Sequence, residues 1–160
     1  MTDYRFATLL MIICITLTAG CDRNTESVGK YDIKQAQNDA FQYFEQANTL
    51  CVQGEYKKAI ESCNKALELN PDFANVYSLR GRAYTYSGEY EKAIMDFDTA
   101  LRLNPDYILA HFFIGSAYAE SGDKQSAVDA FRAFIQYTDP DMAYLQEQAK
   151  QKIEELENAR

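Results

Sequence analysis

The sequence predicts an all-α chain, and three observations carry that expectation. First, a slide of 34 residues lays the chain on itself: GEYKKAI (Gly54 to Ile60) falls on GEYEKAI (Gly88 to Ile94), and ALELNPDF (Ala66 to Phe73) falls on ALRLNPDY (Ala100 to Tyr107). A period of this length is one helix-turn-helix unit, which buries its apolar face only by stacking on neighbours. Second, small and aromatic residues recur at helical spacing, with Tyr77, Gly81 and Tyr84 on one stripe and Ala93, Phe97 and Ala100 on the next. Third, 7 Gly and 3 Pro in 160 residues are too few for a turn-rich β-sandwich, and 12 Tyr with 9 Phe do not suit a disordered chain.

Each element then has its reason. Gly88 supplies the turn inside the second unit, and antiparallel pairing about it sets Gly81 against Ala93 and Tyr77 against Phe97. The same register sets Ala47 against Ala59 and Tyr43 against Cys63 in the first unit. A third copy is fainter but aligned: Gly115, Tyr118, Gly122, Ala127 and Phe131 lie 34 residues beyond Gly81, Tyr84, Gly88, Ala93 and Phe97. Between units, Asn70-Pro71-Asp72 and Asn104-Pro105-Asp106 are expected to close one helix and open the next. Asn would take the left-handed closing conformation, Pro would stop propagation, and Asp would cap the following amides.

At the carboxy end Met142, Leu145, Ala149, Ile153 and Leu156 form one stripe, which predicts a capping helix over about 142–157. Upstream, Tyr31 to Asp39 extends the first helix backwards, because no Pro or Gly interrupts the chain between Tyr31 and Gly54. Seven helices are expected beyond residue 20.

Phe6 to Gly20 is an uncharged apolar run that ends in small residues before Cys21, the layout of an export signal. As a helix its roughly fifteen residues would reach about 22 Å, short of the roughly twenty residues, about 30 Å, that span a hydrocarbon core. Leu17-Thr18-Ala19-Gly20-Cys21 resembles a bacterial lipoprotein signal. That resemblance implies removal of residues 1–20 and lipidation of Cys21 with acyl chains such as palmitate. It also implies anchoring to a membrane of the cell envelope, facing the periplasm or the cell exterior. An ordinary cleaved signal and an uncleaved anchor remain open. Polar residues 22–30 then read as a flexible tether. The expected organisation is a signal peptide over 1–20, the lipidated cysteine and tether over 21–32, and a repeat domain over 33–160, with repeats at about 40–73, 74–107 and 108–141.

The period and its small and aromatic positions resemble the tetratricopeptide repeat. Copy one departs from the family pattern, with Ala47 and Leu50 where Gly and Tyr are usual. The resemblance implies a right-handed superhelix of three repeats plus the capping helix, in which the first helix of each pair lines a concave partner-binding surface. The residues so implied are Phe41, Phe44, Asn48, Cys51 and Val52 in copy one and Asn75, Ser78, Arg82, Thr85 and Tyr86 in copy two. Copy three contributes Leu109, Phe112, Ser116, Ala119 and Glu120. Such a groove suits a peptide or helix of another envelope protein, with apolar anchors and one acidic group. The expected function is a non-catalytic interaction adaptor or assembly factor. The alternatives are a self-associating homodimeric lipoprotein subunit and an enzyme accessory protein. The chaperone-binding subclass, which grips a terminal carboxylate, is set aside because Phe44, Leu79, Leu109 and Phe113 stand where that clamp needs polar groups; only Asn48 matches.

Composition narrows the chemistry. A net charge of -8 repels phosphate backbones, so no nucleic-acid partner is expected. His111 is the single histidine and sits at the repeat position of Tyr77, which points to core packing. No catalytic triad, metal site or cofactor is expected. Cys14 leaves with the signal and Cys21 takes lipid, so Cys51 and Cys63 remain. Cys51 lies about 12 Å along the helix from Tyr43, the residue facing Cys63, whereas a disulfide needs α-carbons within about 7 Å. Two free thiols follow, Cys63 in the core and Cys51 near the groove.

Overall fold

The structure is a computed structural model that describes the backbone of residues 25–158 and the side chains of residues 32–158. The chain divides into a unit ending at Asn38 and a unit beginning at Asp39, and the repeats lie in the second. Seven α-helices and no strand occur among the described residues: α1 (Thr25–Val52), α2 (Tyr56–Leu69), α3 (Ala74–Tyr86), α4 (Tyr90–Leu103), α5 (Leu109–Ser121), α6 (Lys124–Tyr137) and α7 (Ala143–Asn158), with a 3-10 turn at Pro140–Met142. In the second unit, consecutive helices from α2 to α7 pack on one another as helix-turn-helix repeats.

In the first unit the backbone is helical from Thr25 onward. Residues 25–32, which fall in the span expected as a tether, thus have helical backbone. They contain no Pro and only one Gly, and adding a residue to a formed helix costs far less than nucleating one. Residues 1–20 and Cys21 lie outside the described residues.

The turns within the three pairs close on Gly54, Gly88 and Gly122, at φ of +77°, +77° and +89°, where any Cβ would be strained. The linkers between pairs differ from expectation. Asn70 (φ -142°, ψ 89°) and Asn104 (φ -138°, ψ 91°) are extended, not left-handed. Each precedes a proline, whose ring pushes its predecessor out of helical conformations. Their N–H groups still donate to Ala66 O and Ala100 O. Asp72 and Asp106 do not cap by side chain, because the chain enters the helices later, at Phe73 and Ile108. Asn104 Oδ1 instead accepts from the Asp106 N–H at 3.2 Å.

Packing within a pair is set by Gly81. An added Cβ there would lie 2.9 Å from Phe97 Cε1 and 3.1 Å from Ala93 O, so α3 and α4 touch almost backbone to backbone. Gly115 repeats this against Phe131, at 2.8 Å. Phe97 thus covers Gly81, with Ala93 opposite it as expected, and Tyr77 packs against the cluster of Ala47, Cys63, Leu67 and Leu79.

Both ends of the stack are finished differently. At the carboxy end, Leu145, Ala149, Ile153 and Leu156 of α7 pack with Phe131 and Phe134 of α6, and Arg132 Nη2 donates to Glu157 at 2.9 Å. Met142 falls outside that stripe, in the 3-10 turn. At the other end, the α3 positions that enter the preceding pair are Val76, Leu79 and Ala83, and those of α5 are Ala110, Ile114 and Ala117, all buried. One repeat earlier, α1 carries Gln42, Glu45, Gln46 and Thr49 at positions of the same face, and all four are exposed.

One clamp had no signal in the repeat pattern. Arg80 of α3 grips Asp96 of α4 through Nε and Nη2, both at 2.7 Å, and reaches Asn64 Oδ1 of α2 with Nη1 at 2.6 Å. Its guanidinium also lies over the Tyr77 and Tyr84 rings, at 5.4 and 5.9 Å.

Candidate functional site

Residues three and four apart on a helix share a face, and this spacing builds the site. Arg82, Thr85 and Tyr86 form such a stripe on α3, and Phe112, Ser116 and Glu120 form the matching one on α5. They meet around a cavity of about 630 Å³, completed by Phe113, by Tyr90 and Phe97 of α4 and by the Ser87–Gly88 turn.

The cavity has an apolar wall and a strongly directional polar content. The Arg82 guanidinium lies 5.5 Å from the centre of the Phe113 ring, a cation–π contact. Thr85 Oγ1 donates to Gly81 O and Ser116 Oγ donates to Phe112 O, each at 3.0 Å. A hydroxyl has one proton, so both oxygens are left as acceptors. Arg82 is the cavity's charged donor, and Glu120 adds acceptors.

Six residues implied by the repeat pattern therefore converge: Arg82, Thr85, Tyr86, Phe112, Ser116 and Glu120. The others do not line this cavity. Ser78 is 3% exposed, its hydroxyl 2.7 Å from the Tyr107 hydroxyl, so it is a packing residue and not a groove residue. Phe44, its counterpart one repeat earlier, packs its ring tilted against Phe73, with centroids 5.3 Å apart. These two pairs show that this position meets the linker aromatic of its own unit. Leu109 and Ala119 pack against the third core cluster, and Phe112 divides itself between the cavity and the Phe131 and Phe134 rings, at 5.5 and 5.4 Å. Phe41 is 50% exposed beside Phe44, Val52 is exposed at the end of α1, and Asn48 and Asn75 are exposed.

Cys51 and Cys63 are free thiols, with Cys63 buried and Cys51 half-buried. Burial pushes the Cys63 thiol up to about 12, aided by Cys51 nearby. Burial also raises Cys51, against the opposing charge of Arg82. His111 is half-buried, 6.1 Å from the Tyr137 ring, at the margin of the core. Burial lowers its pKa while Asp98 pulls it back.

Tyr90, Phe97 and Phe113 were not among the residues implied by the repeat pattern. Tyr90 repeats Tyr56 in the GEY motif and could have been found there; Phe97 reads as a packing residue, and Phe113 only as standing where a carboxylate clamp needs a polar group, yet both reach the cavity. Among the described residues no group of His, Cys, Asp and Glu is placed to hold a metal ion, and no helix is long and apolar enough to cross a membrane.

Tetratricopeptide repeat models match residues 40–73, 62–95 and 108–139, and a TPR repeat model matches residues 81–122. Comparison with curated proteins finds no match. Among solved structures, the chain is similar to the Sgt2 TPR domain from Aspergillus fumigatus, with 29% identity and a TM-score of 0.62 over 75% of this chain and 82% of that one. It shares its fold with the second TPR domain of human RPAP3 in complex with an HSP70 peptide (20% identity, TM-score 0.67, 79% and 99% covered). It also shares its fold with the Yersinia enterocolitica type III secretion translocator chaperone SycD (14% identity, TM-score 0.70, 75% and 92% covered). With matches running together from residue 40 to residue 139, the chain belongs to the tetratricopeptide repeat family.

Proposed function

We propose that this protein is a non-catalytic interaction adaptor that holds a peptide or helix of a partner protein in the cavity between α3 and α5. The observation that carries this is the convergence of Arg82, Thr85, Tyr86, Phe112 and Ser116 on one cavity of about 630 Å³, with an apolar wall and a few fixed polar groups. The peptide-bound RPAP3 domain supports it by analogy of fold.

The apolar run Phe6 to Gly20 and the Leu17-Thr18-Ala19-Gly20-Cys21 sequence support a bacterial envelope lipoprotein anchored through Cys21. Anchoring confines the cavity to a thin layer, so modest peptide affinity becomes useful occupancy. Stable anchoring needs more than one acyl chain.

Crosslinking and pull-down of the native protein test the adaptor. Arg82→Glu with Tyr86→Ala changes only residues at the cavity surface; it should leave the circular dichroism helical and abolish partner capture. Unchanged partners would remove the cavity from the mechanism. Labelled fatty acid incorporation that is lost in Cys21→Ser tests the anchor. A second reading, a homodimer, is favoured by the exposure of Phe41 and Val52; a dimer that persists on dilution in sedimentation would support it.

A further inference from the structure

The α3–α5 cavity continues beyond Tyr86. A second, more open depression of about 410 Å³ is lined by Gly54, Glu55, Tyr56, Lys57 and Lys58, with Glu55 held by Lys58, and shares Tyr86 and Ser87 with the first. Tyr86 stacks on Tyr56 at 4.9 Å and 15°, yet stays 64% exposed, so the pair forms an aromatic sill between the two.

Charge distinguishes this track from the rest of the surface. In a chain of net charge -8, Lys58, Arg80, Lys92, Arg132, Lys150 and Lys152 are each committed to a carboxylate. Arg82 lines one depression and Lys57 the other, and among the described residues neither has an ion-pair partner. Lys34, Lys65 and Arg102, which also lack one, line neither depression. The Thr85 and Ser116 oxygens are left as acceptors by their own helix bonds, and Glu120 adds a further acceptor. A complementary ligand therefore carries anions for two cations and also N–H donors for the wall. An extended acidic polypeptide offers both, through its carboxylates and its backbone amides; a simple anion offers only the first.

We propose that the two depressions form a single track for an extended acidic segment of a partner protein, which sets one carboxylate on Arg82, crosses the Tyr56–Tyr86 sill and sets a second on Lys57. The Arg82 half rests on the function proposed above; the Lys57 half extends recognition past the cavity.

The test uses the full chain in detergent micelles and three pools of fluorescent peptides with identical apolar and aromatic content, whose variable positions are Asp and Glu, Asn and Gln, or Lys. Anisotropy should show the acidic pool bound most tightly, with the preference shrinking as salt rises. Arg82→Gln and Lys57→Gln should each weaken the acidic pool by roughly two- to fivefold more than the neutral pool, the size of a partly exposed ion pair. Lys65→Gln should change nothing. An acidic preference that Lys57→Gln does not reduce would overturn the track. Equal binding of all pools would overturn the acidic specificity while sparing the adaptor. Binding no stronger than that of a cavity-blocking Ser116→Phe variant would overturn both.

Discussion

Phe97 occupies the space that a Cβ on Gly81 would need, and the first repeat makes the same exchange in reverse. There the glycine is Ala47 and the phenylalanine is Cys63, both fully buried in one cluster. The added methyl on one helix is matched by a smaller side chain on the other, which keeps total volume near constant. Gly81→Ala alone should therefore overpack the α3–α4 contact and cost about 1 to 3 kcal/mol in chemical denaturation. Phe97→Cys alone should cost more, about 3 kcal/mol, by leaving a cavity. The double variant should be more stable than the sum of the two losses predicts, by about 1 kcal/mol. Strict additivity would show that the exchange is coincidental.

The Arg80–Asp96 pair predicts an asymmetry. Asp96 is buried at 6% exposure, so Arg80→Ala leaves a carboxylate without its bidentate partner and should cost about 3 kcal/mol. Removing both charges in Arg80→Met with Asp96→Leu should recover most of that loss, because two apolar side chains need no partner. A double variant as unstable as Arg80→Ala would indicate that the Asn64 and tyrosine contacts of Arg80 carry the stability.

His111 is the single imidazole, so its proton resonance titrates without ambiguity. Burial should hold its midpoint below 6.5, and removing the opposing charge with Asp98→Asn should lower it further. Because the folded value is depressed, neutral His111 favours the fold above pH 6.5, and this contribution fades as pH falls through the folded midpoint. A midpoint above 6.5 would show that the charge of Asp98 outweighs burial of the ring.

The thiols should separate by reactivity. At pH 8 the native protein should react slowly at Cys51 and not at Cys63, whose thiol sits near 12 and is buried; unfolding should release both. Since the folded Cys63 value is raised, its contribution to stability is complete below about 9 and declines as pH climbs toward 12. Cys63→Ala should remove that part of the alkaline loss. An oxidised native protein containing a Cys51–Cys63 bond would contradict the register of α1 against α2.

The helices and their pairing were legible because one 34-residue period fixes the turn glycines and the small contacts at Gly81 and Gly115 together. The central wall of the cavity was legible for the same reason, since Arg82 to Tyr86 and Phe112 to Glu120 follow helical spacing. Ser78 was misplaced because a groove face defined by position alone ignores the linker aromatic, Tyr107, that folds back onto it. The asparagine linkers were misjudged because the demand of proline on its predecessor outweighs the tolerance of asparagine for left-handed backbone. Arg80 left no trace, since its counterparts Gln46 and Ile114 share nothing with it chemically.

The solvated flank of α1 also bears on how this array could lengthen over generations. A duplicated unit inserted between existing ones, or before α7, would meet apolar partners on both sides. One spliced in ahead of α1 would have to press its second helix onto two amides, a carboxylate and a hydroxyl, none of which could keep its water. Expansion of this protein is thus permitted in the interior and at the carboxy side, and is opposed at the amino side by four side chains.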